Sequence, residues 1–145
     1  MNATATHKRP LGFWITSVLA LLWNLLGVTM FFVQTNLPPE ALAALPVDQR
    51  QLYESTPAWV NGAFAVAVFA GLLGSVTLLL HRRLALPLFA LSLLAVLVQM
   101  GYTYLATPAL QVYGPAGLAL PIVLIVIAVF LVWFARRSIA RGWIS

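Results

Sequence analysis

The sequence predicts an all-α fold: a polytopic membrane four-helix bundle, one integral membrane domain over residues 1–145, with a short helical outer loop between spans 1 and 2. Three observations carry that reading. Of the 145 residues, 62% are hydrophobic and only 8% charged, against roughly 45–50% and 25% in an ordinary soluble domain. The apolar residues gather into four runs, Leu11 to Val33, Ala58 to Leu80, Leu84 to Leu105 and Gly117 to Ala135, each about as long as the ~20 residues a helix needs to cross ~30 Å of hydrocarbon. None of these runs contains Asp, Glu, Lys, Arg or His. A soluble fold of this size has too little interior to hide so much apolar surface.

Taken in order, the first run follows Lys8 and Arg9 and could pass for a signal peptide, with Ala41-Leu42-Ala43 as an A-x-A site. Its apolar core exceeds the usual ~7–15 residues of such a segment and the site lies well beyond its end, so a retained span is expected. In the outer loop, Gln34 to Pro57, prolines 39 and 46 stand where a helix's first turn accepts proline. Two short helices, Glu40 to Leu45 and Val47 to Glu54, are expected there, lying in the interface or across the mouth of the bundle. The second run carries small residues along its length, and close approach of backbones makes it the expected centre. Gly27, Ala67, Gly71, Gly74 and Ser75 are the expected helix-packing positions.

His81, Arg82 and Arg83 form a tight turn into the third run, and a Pro/Gly-punctuated link, Ala106 to Ala116, leads to the fourth. Between Gly117 and Phe134 that last run has no hydrogen-bonding side chain except the indole of Trp133. It is expected to face lipid most fully, or a second copy in a homo-oligomer. Arg136 to Ser145 reads as a basic helical tail with Ile139 and Trp143 toward lipid, an anchor to anionic lipid rather than a nucleic-acid site.

Charge placement predicts orientation. Every basic residue but Arg50 lies on one side of the membrane, while Glu40, Asp48 and Glu54 share the outer loop with Arg50. Retention of Lys and Arg in cytoplasmic segments then puts both termini inside. Tyr53, Trp59, Tyr102, Tyr104 and Tyr113 fall near the outer interface, and Trp14 and Trp133 near the inner one, as an aromatic belt would.

Helical neighbours at steps of three and four give each span an interior stripe. Ser17, Ala20, Asn24, Gly27 and Phe31 form one; Ser92, Ala95, Gln99, Tyr102 and Ala106 form another at a constant offset. Asn24 and Gln99 therefore share a depth, roughly 20 Å from the inner end at ~1.5 Å per residue. The match reads either as the remnant of a parallel repeat of two hairpins or as chance in a low-complexity alphabet. Intramembrane amides ask for partners. Asn24 and Gln99 could bond to each other or to nearby backbone. Alternatively Asn24, Gln34, Asn61, Gln99 and Tyr102 could surround a pocket open to the outside, suited to a neutral polar ligand or a lipid head group.

Other chemistries find no residues. Cysteine is absent, which excludes disulfides, thiol chemistry and Cys-ligated metals. His7 and His81 sit among basic residues opposite the carboxylates, so no metal site, cofactor or catalytic His–carboxylate pair is expected, and the chain does not read as an enzyme. The spans lack the carboxylate or His common in proton-coupled carriers.

The segments WNLLGVTMFFVQ (23–34), LYESTPAWVNGAFAVAVFAGLLG (52–74) and RRLALPLFALSLLAVLVQ (82–99) resemble an uncharacterised group of small bacterial four-span membrane proteins, some of which carry a sugar-transporter label. The resemblance covers Leu11 to about Leu105 and brings no residue with an assigned role. It implies a multi-pass protein of the bacterial inner membrane. Two functions are compatible with it: a small transporter or facilitator of a neutral solute such as a sugar, and a non-transporting accessory or lipid-binding protein acting through the outer loop. Expected partners are membrane lipid, further copies of the chain and a neutral small molecule, with no nucleic acid.

Overall fold

The computed structural model describes residues 9–145; Lys8 and His7 lie outside them. Seven α-helices occur among these residues, with no strand: α1 (Leu11–Thr35), α2 (Pro39–Ala44), α3 (Val47–Ser55), α4 (Ala58–Leu79), α5 (Ala85–Gly101), α6 (Ala109–Tyr113) and α7 (Ala119–Ala140). A π-helical turn, Tyr102–Ala106, prolongs α5, and a 3₁₀ turn, Pro115–Leu118, leads into α7. Four of the resulting helical segments are long and apolar enough to cross a bilayer: Leu11–Thr35, Ala58–Leu79, Ala85–Ala106 and Pro115–Ala140. The expected all-α four-helix architecture is present, and it fits a multi-pass membrane protein. Loop helices α2 and α3 fall within a residue or so of the expected segments.

Proline starts most of these helices. Pro10, Pro38, Pro46, Pro57 and Pro108 each occupy the residue before a helix and provide no side-chain cap. The fixed proline φ sets the entry of the chain, and a missing N–H costs nothing where the first turn has no acceptor for it.

Helix α4 is central, packed against both α1 and α5, with α7 on the far side of α5. Over the apolar core of each span, 39% of α4 is buried, against 28% for α7, 22% for α5 and 17% for α1. Central placement of α4 follows from its small residues: a Cβ on Gly74 would lie 2.8 Å from the Phe89 ring of α5. The expectation that the fourth span faces lipid most fully is corrected, because α1 is the most exposed. Helix α7 gains its burial in its last turns, where Leu131, Phe134 and Ala135 enter a core with Phe13, Leu78, Ala85 and Phe89. Phe13 stacks on Phe134 at 5.8 Å, which brings α1 and α7 together at this basic end.

The tail is corrected too. Helix α7 stops at Ala140, Gly142 takes a left-handed φ of 74°, and the Trp143 N–H returns to the Ser138 carbonyl at 2.8 Å. The chain then folds back on the α4–α5 turn instead of lying along lipid. Ser145 N–H donates to the His81 carbonyl (3.0 Å), and Arg83 N–H donates to the Ser145 backbone oxygen (3.1 Å). Ile144 is 2% exposed, and Trp143 and Ile139 pack on the same core. Burying Ile144 and part of Ile139 and Trp143 there outweighs presenting them at an interface that the arginines already reach.

At the opposite, loop end, α3 packs against α6, and the Leu37 N–H donates to the Tyr53 hydroxyl at 3.4 Å. The outer segment therefore reaches from the α1–α4 side to the α5–α7 link.

A candidate binding cleft between the first and last spans

Asn24 is 8% exposed, and its amide nitrogen is fully used inside the protein. Nδ2 donates to the Ala20 carbonyl at 2.8 Å and to Ser75 Oγ of α4 at 3.0 Å. Ser75 Oγ in turn donates to the Gly71 carbonyl at 2.9 Å. Gly71 is required beside it: a Cβ there would collide with Asn24 Oδ1 and lie 3.3 Å from Ser92 Oγ. Ser92 of α5 donates to the Ala67 carbonyl at 2.6 Å. One polar seam thus joins α1, α4 and α5 at mid-span. Gln99 is not among the partners of Asn24; it is exposed, about one helical turn nearer the loop end of α5 than the buried Ala95.

The interior stripes point where the spacing placed them. Phe13, Ser17, Ala20 and Asn24 are the buried residues of α1, and Ser92 and Ala95 are buried on α5. Beyond them the two spans diverge, since Gly27 and Phe31 are half-buried and Ala106 is exposed.

A cavity of about 220 Å3 opens above this seam. Its floor is made by Asn24, Ala67, Val68, Ser92 and Val96, all buried. One flank is α1, with Trp23, Leu26, Gly27, Met30 and Gln34; the other is α7, with Leu120, Leu124, Ile127, Ala128 and Leu131. Gln99 and Met100 of α5 and Phe64 of α4 complete it. Helices α1 and α7 lack the close packing of the neighbouring pairs and are pinned together at the basic end by Phe13, so the space between them is a lateral cleft with an exposed rim. Among the described residues, no titratable side chain lines it.

Three of the five predicted ligand-binding residues, Asn24, Gln34 and Gln99, meet this cleft. Asn61 is exposed, and Tyr102 is half-buried with its ring edge-on to Trp59 at 5.0 Å; neither lines the cavity. The predicted packing residues fall as follows: Gly71, Gly74, Ala67 and Ser75 are buried on α4, and Gly27 faces Val68 at the cleft wall, where a Cβ would approach Val68 Cγ1 to 3.3 Å. The flank from α7 was not readable in the sequence. Its residues are apolar on every side, so no periodicity marks the face that lines the cleft.

At the basic end, His81 has a positive φ of 62° and lies edge-on to Trp14 at 5.2 Å. Its Nε2 is buried and has no hydrogen-bond partner among the described residues. Burial pushes its pKa below the ordinary histidine value, and the neighbouring Arg9 guanidinium pushes it the same way. Arg9 Nε donates to the Trp143 carbonyl at 2.6 Å.

No family model, curated protein or solved structure matches this chain.

Proposed function

We propose that this protein is a lipid-binding membrane protein that holds a neutral amphiphile in the cleft between α1 and α7, its chain between the apolar walls and its polar head at Gln34 and Gln99. The observation that carries this reading is the cleft's composition: a largely apolar slot open between α1 and α7, with the Gln34 and Gln99 amides toward its loop end, Asn24 in its floor and no charged side chain among the described residues. At about 220 Å3 the space is below the ~300–1,000 Å3 of typical small-molecule sites, which suits a slender chain. Transport of a sugar, the other function compatible with the sequence, finds less support. A sugar needs several free donors and acceptors, whereas the Asn24 amide nitrogen and the Ser92 hydroxyl already bond within the protein. The basic end is taken as cytoplasmic in a bacterial inner membrane, on the charge asymmetry and the sequence resemblance described above.

The test fills the cleft from a wall residue with no polar role. Ala128→Trp should abolish retention of the neutral lipid seen by native mass spectrometry of protein released from nanodiscs, while helical content and elution stay unchanged. Equal retention by Ala128→Trp and the parent protein contradicts the proposal.

A further inference from the structure

A second groove lies on the outside of the bundle between α5 and α7, near the basic end. Its volume is about 570 Å3, and it is lined by Leu93, Val129, Val132, Trp133, Arg136, Arg137 and Ala140. Along α7 it runs from Val129 to Ala140, about 16 Å at ~1.5 Å per residue. Its apolar part, Leu93, Val129 and Val132, lies within the spans, and its two guanidiniums lie at one end. Arg137 stands 5.5 Å from the centre of the Trp133 ring, which steers a planar cation while leaving its N–H donors available. Neither arginine side chain makes a hydrogen bond or ion pair among the described residues. All three acidic residues of the chain, Glu40, Asp48 and Glu54, belong to the loop-end helices α2 and α3.

We infer that this groove binds one anionic phospholipid of the leaflet at the basic end, its phosphate on Arg136 and Arg137 and an acyl chain along Leu93, Val129 and Val132. Charge complementarity selects the occupant. Two adjacent guanidiniums with no carboxylate partner present a donor array that matches phosphate oxygens bidentately. An apolar channel leading away from them into the bilayer suits the chain of the same molecule, and Trp133 sits at the depth where indoles mark the interface. A basic surface alone would attract anionic lipid diffusely; a groove that joins the charges to an apolar channel makes a site of defined stoichiometry. This site is separate from the uncharged cleft between α1 and α7 and does not depend on it.

The test is lipid titration followed by native mass spectrometry, with phosphatidylglycerol and phosphatidylcholine as probes. The parent protein should hold one phosphatidylglycerol about tenfold more tightly than phosphatidylcholine. Arg136→Gln with Arg137→Gln should remove that preference. Val129→Trp, which narrows the groove without changing charge at a half-exposed position, should weaken phosphatidylglycerol to a similar degree, whereas Arg82→Gln with Arg83→Gln and the cleft variant Ala128→Trp should leave it intact. Equal losses in the two double-arginine variants would mean bulk charge attraction only, and would overturn the site. So would equal binding of the two lipids by the parent protein, or full phosphatidylglycerol binding by Val129→Trp.

Discussion

At the residue scale, the amide of Asn24 is best understood as a clamp that also forms part of the cleft floor. Its nitrogen ties α1 to α4 through Ser75, and its oxygen occupies the space that Gly71 leaves by having no side chain. Gly71→Ala should therefore cost about 1–3 kcal/mol, because the added methyl drives the amide out of a packed seam. Asn24→Ala should cost about 0.6–1.7 kcal/mol, from the average to the maximum for interhelical hydrogen bonds in a membrane protein. The two are in contact, so their effects should not add. With the amide gone the alanine at 71 keeps only a 3.3 Å approach to Ser92 Oγ, which a small shift of the hydroxyl relieves, and the double variant should unfold in mixed micelles close to the midpoint of Asn24→Ala alone. A strictly additive loss would mean that the amide does not fill the Gly71 notch.

At the element scale, the returning tail and the α4–α5 turn form one unit, and His81 makes that unit sensitive to pH. Its folded pKa is lowered from the ordinary value of about 6.5, so the docked state favours the neutral imidazole. The contribution to docking is complete above about pH 6.5 and is lost as pH falls toward the depressed folded value. The Arg9 guanidinium beside it disfavours protonation in the same direction. Hydrogen exchange of the amides at 143–145, corrected for intrinsic rates, should speed up below pH 6.5. In His81→Asn, which tolerates the positive φ, that acceleration should disappear. This unit was poorly legible in the sequence. Arg136 to Ser145 has the composition of an interfacial helix, and only the left-handed Gly142 with the partners at Ser138 and His81 turns it back into the core. Helix starts were much more legible, since proline precedes four of the expected helices, whereas α6, after Pro108, lies in a segment read only as a link.

At the scale of the whole molecule, composition and run length were enough to read four spans, because the bilayer demands a length and a polarity that few other environments do. Stripe spacing located the inward faces of α1 and α5, where small and polar residues stand out against leucine and valine. It could not give the partner of Asn24. Equal depth of Asn24 and Gln99 is a statement about two separate helices, whereas the bond depends on which helix packs alongside α1, and that is α4. Nor could it place Asn61 and Tyr102, which lie near the loop end and outside the cleft.

The most direct measurement is photolabelling by a neutral lipid that carries a diazirine on its acyl chain, with adducts mapped by peptide mass spectrometry. Occupancy of the cleft predicts adducts at Val96 and Leu131, which are buried at its floor and flank and beyond reach of lipid on the outer surface. Labelling confined to outward residues such as Leu19, Leu22 and Val126 would contradict it.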